Sequence, residues 1–297
     1  MKSPEITADA AGTWRLGDLT VNRLGFGAMR LTGDPSGDGA PSDRGQSVAV
    51  LRRAVELGVN HIDTAAFYFS PLRSANELIN TALGPYPDDL VIATKVGPGR
   101  DTWGAWQGMA RPDQLRGQVE ENLRQLGRDY FDLVNLRTLS VSKPVGEHFA
   151  ALAALRDAGL IRHLGLSNVT VAQIDEALEI APVVAVQNRY SINSRRPEAD
   201  DVLSACAERG IAFVPFFAIA GTGREDGKPG GELEPVLAIA RAHGATPAQV
   251  RLAWTLAQGS HVLAIPGTSS LGHLTENIAA GALRFTEQDL DLLADVA

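Results

Sequence analysis

The sequence predicts a (β/α)8 barrel of the TIM type with an N-terminal β-hairpin, formed as one domain over residues 1–297. Three observations favour this fold. Eight short apolar runs recur along the chain, and each is followed by a helical pattern or a long connection. The runs are apolar almost throughout, which is typical of parallel strands covered on both faces. A length of 297 residues is also ordinary for a single α/β barrel.

The elements follow in regular order. Residues 14–21 predict the hairpin, with a Gly-Asp turn. The predicted strands cover 23–29, 61–65, 90–96, 131–136, 161–166, 183–187, 211–217 and 262–265. Helical patterns lie around 47–57, 75–82, 112–126, 149–155, 171–179, 199–209, 234–242, 247–257 and 271–280.

Residues at the helix ends support these boundaries. Ser74 followed by Glu77 resembles a capping box for the helix at 75–82. Thr170 is placed to cap the helix at 171–179. Gly127 follows the last apolar position of its helix, where glycine commonly ends helices. An open doubly wound sheet is the alternative fold. It would carry a glycine-rich turn after strand one, whereas Gly25 and Gly27 lie inside the run and lack a third glycine at the required spacing.

Composition narrows the classes of function. A net charge of -8 argues against general binding to nucleic acid or an anionic membrane. The single cysteine, Cys206, fits a reducing, cytoplasmic setting, and we expect it to be a buried apolar residue. The N-terminus shows no secretory signal, and the apolar run 211–220 is too short to span a bilayer. No His, Cys and carboxylate spacing indicates a metal site, and the oligomeric state stays open.

Three residues at neighbouring strand ends suggest a proton-transfer site. Asp63 ends the second run, Tyr68 follows five residues later, and Lys95 ends the third run. In a barrel the chemistry occupies the carboxyl ends of the strands, so these side chains are expected to meet. Lys95 would favour the phenolate form of Tyr68, and Asp63 would keep Lys95 charged. Taken singly, the three could instead be a helix cap, a loop aromatic and a solvated charge.

Polar or aromatic residues also end every later strand. The last of these segments, around Thr268, opens a helix and offers backbone N–H groups and hydroxyls, which suits a phosphate or an ordinary helix cap. The strand-end residues are Asn135, Arg137, Ser167, Asn168, Gln187, Asn188, Phe216, Phe217, Pro266, Gly267, Thr268, Ser269 and Ser270.

In these motifs the chain resembles the aldo-keto reductases along nearly its whole length. The matching stretches are Asp63-Thr64-Ala65 with Tyr68, Thr94-Lys95, Gly165-Leu166-Ser167-Asn168, Gln187-Asn188-Arg189-Tyr190, Ile265-Pro266-Gly267-Thr268-Ser269 and His273-Leu274-Thr275-Glu276-Asn277. Residues 132–137 and 214–217 look most like a bacterial pyridoxal reductase branch.

The resemblance implies a reductase that transfers hydride from NADPH, with NADH as the alternative cofactor, to a small-molecule carbonyl, with pyridoxal as the candidate substrate. Tyr68 would be the general acid, Lys95 would promote its ionisation, and Asp63 would orient Lys95. The implied cofactor contacts are Ser167, Asn168 and Gln187 to the carboxamide, Phe216 to the nicotinamide ring, Thr268 and Ser269 to the ribose phosphate, and Glu276 and Asn277 near the adenine, with Pro266, Gly267 and His273 in the same segments.

The chain departs from the family pattern in two ways. Arg137 stands where the family usually has histidine, so we expect either a fixed cationic donor to the carbonyl oxygen or a structural salt bridge. Gly267 and His273 stand where other branches have lysine and arginine, which weakens the case for a tightly bound 2′-phosphate.

Five further residues or segments are interpreted in one or two ways. Trp103 and Trp106 either wall the substrate pocket or anchor their own loop. His61 and His163 are expected to be hydrogen-bonded core residues. The glycine-rich loop 221–231 either folds over the cofactor or simply connects elements.

Two other functions are kept open. A cofactor-binding sensor or interaction subunit would bind a dinucleotide on the same fold with little turnover. A barrel aldolase or lyase would use Lys95 as a Schiff-base amine, which requires a neutral lysine.

Overall fold

The parallel barrel predicted from the sequence is present in the computed structural model, which describes residues 5–33, 42–101, 103–193, 195–219 and 233–294. Seven parallel strands form one sheet in the order β13-β12-β11-β10-β7-β4-β3. Parallel bridges Phe213–Val262 and Leu24–Ala264 connect the eighth run to both edges and close the barrel. The barrel strands are β3 Phe26–Gly27, β4 His61–Asp63, β7 Val91–Val96, β10 Phe131–Arg137, β11 Ile161–Ser167, β12 Val183–Gln187 and β13 Ala212–Phe213.

Three short antiparallel hairpins accompany the barrel. The predicted N-terminal hairpin pairs β1 Thr13–Leu16 with β2 Leu19–Asn22. A second hairpin, β5 Phe69–Ser70 with β6 Arg73–Ser74, follows Tyr68. The third hairpin pairs β8 Pro98–Arg100 with β9 Trp106–Met109 and follows Lys95. The second and third hairpins were not predicted, and both lie where strand ends carry candidate site residues.

Nine of the ten α-helices among the described residues lie where the sequence predicts them, and the tenth, Glu287–Ala294, was not predicted. Caps explain several of the helix ends. Ser74 accepts a hydrogen bond from the Glu77 amide, Thr170 and Gln173 form a capping box, and Gly127 ends its helix at a φ of 64°. The helices are α1 Arg44–Glu56, α2 Ala75–Leu83, α3 Leu115–Leu126, α4 Gly146–Asp157, α5 Val171–Leu178, α6 Pro197–Glu208, α7 Glu234–His243, α8 Pro247–Ala257, α9 Leu271–Ala279 and α10 Glu287–Ala294.

The predicted strand lengths were wrong for the first, seventh and eighth runs. The first strand keeps only two residues, because the next five residues turn into a 3-10 helix. Pro215 has no N–H to extend the ladder of the seventh run, and the eighth run pairs only through isolated bridges at Val262 and Ala264. The chain then leaves the seventh run at Phe217, whose φ is 65°.

The core is divided by the sheet. A large cluster fills the space between the strands and helices. A smaller cluster fills the lower half of the barrel interior, where Leu16 and Val21 of the N-terminal hairpin pack beneath the strands; its other buried members are Val91, Ala93, Leu133, Ala185, Ala212, Val214 and Leu263. The interior is therefore mostly apolar at the amino ends of the strands, where His61 is a polar exception, and its other polar side chains lie towards the carboxyl ends.

The two histidines predicted to be hydrogen-bonded in the core behave differently. His61 is buried inside the barrel, but neither ring nitrogen has a hydrogen-bond partner among the described residues. Burial lowers the pKa of His61 to about 4, and the nearby Asn22 backbone offsets only part of this effect. His163 is not in the core. Its Nε2 lies 2.6 Å from Asp18 Oδ1 and fastens the tip of the hairpin.

Other sequence predictions concern single features. Cys206 is buried as expected, and burial raises the pKa of its thiol to about 12. Across the described ranges, no helix is both long and apolar enough to cross a bilayer. Those ranges also contain no cluster of three or more His, Cys, Asp or Glu side chains arranged to hold a metal ion.

Candidate active site

A buried ion pair lies at the carboxyl ends of β4 and β7. Lys95 Nζ donates to Asp63 Oδ2 at 2.6 Å and to the Thr64 carbonyl oxygen at 3.1 Å. Both charged side chains are almost fully buried. Burial lowers the pKa of Lys95, but the Asp63 carboxylate and the Tyr68 phenol outweigh it, so the pKa of Lys95 is raised above its usual value. The lysine is therefore an ammonium that Asp63 holds in place.

Amide side chains surround this pair. Gln187, at the end of β12, donates from Nε2 to Asp63 Oδ1 at 3.0 Å, so both carboxylate oxygens are engaged. Asn135 on β10 lies beside Lys95 in the parallel ladder. The Oε1 of Gln187 and the Oδ1 of Asn135 are buried and have no hydrogen-bond partner among the described residues. Such orphaned acceptors are uncommon in folded proteins and are often associated with ligand sites.

Tyr68 lies directly next to the ammonium. The Lys95 Nζ is 4.8 Å from the centre of the Tyr68 ring. The backbone holds the ring there, because the Tyr68 amide donates to Ala65 and its carbonyl accepts from Ala75, the first residue of α2. Tyr68 is partly exposed, whereas Asp63 and Lys95 are buried. The phenol is thus the member of the trio that a substrate can reach.

Arg137 ends β10 on the same side of the strand as Asn135. Its guanidinium carbon lies 5.6 Å from the Phe67 ring centre and 5.3 Å from that of Trp106. Phe67 in turn packs edge-to-face on Tyr68, with 5.3 Å between the ring centres. The salt bridge considered from the sequence is absent within the described ranges, where no carboxylate pairs with Arg137. Arg137 is therefore held by aromatic rings close to the phenol.

The two tryptophans have different surroundings. Trp106 is 54% exposed and contacts Phe67, Arg100 and Arg137, so it lies over the site. Trp103 is 92% exposed at the tip of the β8–β9 hairpin. Arg100 braces this hairpin by donating to the Gly104 carbonyl at 2.7 Å. A site wall formed by Trp106 is consistent with these contacts, whereas Trp103 neither lines the site nor anchors its loop by packing.

The residues expected to hold the nicotinamide lie together at the next strand ends. Ser167 is buried and stands in register with both Arg137 and Gln187. Asn168 adopts a left-handed φ of 61° and donates from Nδ2 to the Thr138 carbonyl. Phe216 is half-buried and bonds through its amide to Asn188. The free Gln187 Oε1 lies in this group, and it suits an amide donor such as a carboxamide NH2.

The phosphate segment after the eighth run precedes α9. Ser270 is the residue that caps α9, by accepting from the His273 amide. Thr268 is buried and its hydroxyl accepts from the Ser270 amide, whereas Ser269 is exposed. His273 and Glu276 are exposed on the helix, and Asn277 is buried. A helix N-terminus with an exposed hydroxyl beside it fits a bound phosphate.

Gly267 has a specific steric role. A Cβ at this position would lie 2.5 Å from the Gly27 carbonyl oxygen, and a Cβ on Gly27 would lie 2.6 Å from the Ile265 carbonyl oxygen. The two glycines allow the first and eighth runs to approach closely where the barrel closes. Loop 221–231, considered as a cover for the cofactor, lies outside the described residues.

The chain is similar to known proteins over nearly its whole length. Residues 23–297 match the model of the aldo/keto reductase family. Pyridoxine 4-dehydrogenase from Escherichia coli is 42% identical over 294 residues, which is 97% of this chain and 99% of that protein.

Solved structures also match over nearly the full chain. A thermostable aldo-keto reductase in complex with the inhibitor epalrestat is 31% identical, with a TM-score of 0.80 over 96% of this chain and 99% of that one. An aldo-keto reductase from Klebsiella pneumoniae in complex with NADPH is 26% identical, with a TM-score of 0.77 over 95% and 94% of the two chains. The chain therefore belongs to the aldo/keto reductase family, and it is an oxidoreductase with the (β/α)8 fold.

Proposed function

We propose that the chain is an NADPH-dependent carbonyl reductase and that pyridoxal is a substrate. The observation that carries the proposal is the cluster of a partly exposed phenol, a buried ammonium and a buried carboxylate at the carboxyl end of the barrel. The substrate proposal is supported by the relative named for acting on pyridoxine. The cofactor proposal is supported by the structural neighbour that contains NADPH.

The proposed mechanism assigns one task to each member of the cluster. When bound, the dinucleotide supplies the hydride that reduces the carbonyl carbon. Tyr68 gives its proton to the carbonyl oxygen, and the adjacent Lys95 ammonium stabilises the phenolate that remains. Asp63 keeps Lys95 charged and directs it, since it accepts from Nζ at 2.6 Å. Arg137 donates to the same carbonyl oxygen as a fixed cation.

Cofactor binding is proposed for residues that follow the later strands at the same carboxyl end of the barrel. Ser167, Asn168 and Gln187 would hold the carboxamide, and Phe216 would stack on the nicotinamide ring. Thr268 and Ser269 would bind the ribose phosphate, with Pro266, Gly267, His273, Glu276 and Asn277 around the adenosine end. Holding donor and acceptor in contact in this way is itself a large part of catalysis.

The alternatives make different demands on the site. A Schiff-base lyase needs a neutral amine, whereas the raised pKa of Lys95 favours the ammonium. A dinucleotide-binding sensor needs no proton donor, whereas Tyr68 is placed beside a charged lysine and remains accessible. Both observations favour the reductase.

One screen tests the proposal. The purified chain is given NADPH or NADH with a panel of aldehydes that includes pyridoxal, and loss of reduced cofactor is followed by absorbance. Turnover of other aldehydes without pyridoxal would reject that substrate, and dinucleotide binding without any turnover would favour the sensor.

Cofactor preference is measured separately, by fluorescence titration with the two dinucleotides. Tighter binding of NADPH is expected from the hydroxyls at the start of α9. Equal or tighter binding of NADH would reject the preference, and binding of neither would reject the reductase proposal.

A further inference from the structure

We propose that Arg137 selects carbonyl substrates that carry a second, negatively charged oxygen on the atom next to the carbonyl-bearing carbon. The proposal deepens the reductase function stated above and rests on it. It concerns which carbonyl compounds the site prefers, and it makes Arg137 a specificity-determining residue as well as a donor to the reacting oxygen.

The first observation is the charge balance of the site. Asp63 neutralises Lys95 within the buried pair, so that pair contributes no net charge. Arg137 adds one positive charge that no described carboxylate balances. Arg128, the arginine near the start of the same strand, differs from Arg137 because its charge is balanced by Asp132 at 2.6 Å. A positively charged pocket of this kind favours an anionic ligand.

The second observation is the way the guanidinium is held. Its contacts with Phe67 and Trp106 are to aromatic rings, which interact with a guanidinium without using its N–H groups. The Nε of Arg137 is buried and has no hydrogen-bond partner in the described part of the chain. Arg100, which also contacts Trp106, differs in that it donates to backbone carbonyls. Among the described residues Arg137 therefore keeps its donors for a ligand, whereas Arg100 uses its Nε and Nη1 on the backbone.

The third observation is position. Arg137 lies two residues beyond Asn135 on the inward side of β10 and in register with Ser167. Phe67 is the only ring between the guanidinium and Tyr68 among the contacts of the described residues. The Arg137 guanidinium and the ring of Tyr68, the proposed acid, therefore both contact the Phe67 ring. The proposal places a substrate bound at Tyr68 so that it extends past the Phe67 ring and the substituent next to its carbonyl meets Arg137.

The chemistry of arginine then defines the substrate class. A guanidinium presents parallel N–H donors in a rigid fork that fits two adjacent oxygens. A carbonyl oxygen and an ionised hydroxyl on the adjacent ring carbon form such a pair. Aromatic aldehydes with an ortho oxyanion, including 3-hydroxypyridine-4-carbaldehydes, have this arrangement. Histidine at this position could offer one N–H to the site but no such fork.

The experiment compares two aldehydes that differ only in this oxygen. The value of kcat/KM is measured with NADPH for 3-hydroxypyridine-4-carbaldehyde and for pyridine-4-carbaldehyde, on the wild-type chain and on Arg137→Met. We expect the wild type to prefer the hydroxylated aldehyde, and the ratio of the two kcat/KM values to fall about 10–100-fold in Arg137→Met, the scale of a hydrogen bond to a charged group. Comparing ratios cancels the intrinsic difference in reactivity between the two aldehydes.

Two more variants keep the result interpretable. Arg137→Lys retains the charge without the fork and should restore only part of the ratio. Arg100→Met removes a neighbouring charge whose Nε and Nη1 bind backbone carbonyls, so the ratio should stay within about threefold of wild type. Melting temperature and NADPH binding show that each variant is folded.

The outcomes separate this inference from the function on which it rests. If Arg137 acts only on the reacting oxygen, Arg137→Met lowers kcat/KM for both aldehydes by the same factor, and the inference is overturned. A wild type that reduces both aldehydes equally well also overturns it while leaving the reductase intact. A wild type that reduces neither aldehyde, nor any other in the panel, contradicts the reductase proposal itself.

Discussion

Replacing Asp63 with asparagine perturbs the ion pair on which the candidate site depends. Lys95 Nζ and Asp63 Oδ2 are 2.6 Å apart, and their side chains are 3% and 6% exposed. At this separation the Coulomb attraction is about 6 kcal/mol with an effective dielectric constant of about 20, and much of it offsets the desolvation of the two charges. The variant leaves a buried ammonium with the Thr64 carbonyl and a neutral amide as partners. We expect the free energy of unfolding to fall by about 3–5 kcal/mol.

The same substitution should also change the pH dependence of stability. The pKa of Lys95 is raised in the folded protein above its ordinary value of 10.5. The stability that follows from this shift is therefore fully present below about pH 10.5 and is lost as the pH rises through the higher folded-state pKa. Asp63→Asn should lack this alkaline loss, because burial alone lowers the pKa of an unpaired lysine.

Urea unfolding and steady-state kinetics measured together test this reasoning. Asp132→Asn is a matched control, since it breaks another largely buried pair at 2.6 Å, at the second residue of β10 and outside the candidate site. Both variants should lose stability, but only Asp63→Asn should also lose kcat in the folded fraction. Adding Lys95→Met to Asp63→Asn should recover stability by removing the stranded charge. A loss below about 1 kcal/mol in Asp63→Asn, or no recovery in the double variant, would refute the argument.

Three other substitutions give separate tests. Tyr68→Phe should lower kcat by about 10²–10⁴, the usual contribution of a general acid, while NADPH affinity measured by fluorescence stays nearly unchanged; near-native turnover would remove Tyr68 from its proposed role. The pKa of His61 is lowered from 6.5 to about 4, so in acid the unfolded chain binds a proton that the folded protein does not. Between pH 7 and pH 4 the wild type should therefore lose about 3 kcal/mol more stability than His61→Leu. Urea-unfolding profiles that change with pH in the same way for both proteins would contradict this. Gly267→Lys installs the lysine of other branches and should weaken binding of both dinucleotides, because its Cβ would lie 2.5 Å from the Gly27 carbonyl oxygen. Tighter NADPH binding in a fluorescence titration would show that the first and eighth runs can separate.

The sequence predicted the barrel and the central pair for the same physical reason. Parallel strands bring their carboxyl ends to one end of a barrel, so residues 32 positions apart, Asp63 and Lys95, were expected to meet. They form the hydrogen-bonded pair seen here. The helix caps were also predictable, because Ser74 and Thr170 act through hydrogen bonds within four residues. The order of the strands and the local helix caps can both be predicted from the pattern of residues.

Contacts between loops were not predictable in this way. Trp106 reaches Arg137 only because residues after Lys95 form the β8–β9 hairpin, and no turn motif in the sequence indicated that hairpin. The sequence left Arg137 open between a donor and a salt bridge, and only the placement of Phe67 and Trp106 shows which partners it has. His61 was expected to be hydrogen-bonded because buried polar groups usually are, and that prediction was wrong.

The polar layer at the top of the barrel depends on a glycine in β11 that leaves room for the side chains of the neighbouring strands. Gly165 on β11 pairs with Asn135 on one side and Ala185 on the other. A Cβ at Gly165 would lie 2.1 Å from Asn135 Oδ1 and 2.8 Å from the Ala185 carbonyl oxygen, so any other residue would displace the amide that lies beside Lys95. The motif Gly165-Leu166-Ser167-Asn168 therefore has two physical parts. Its glycine makes room for the amide layer around the ion pair, and its last two residues lie where the nicotinamide is proposed to bind.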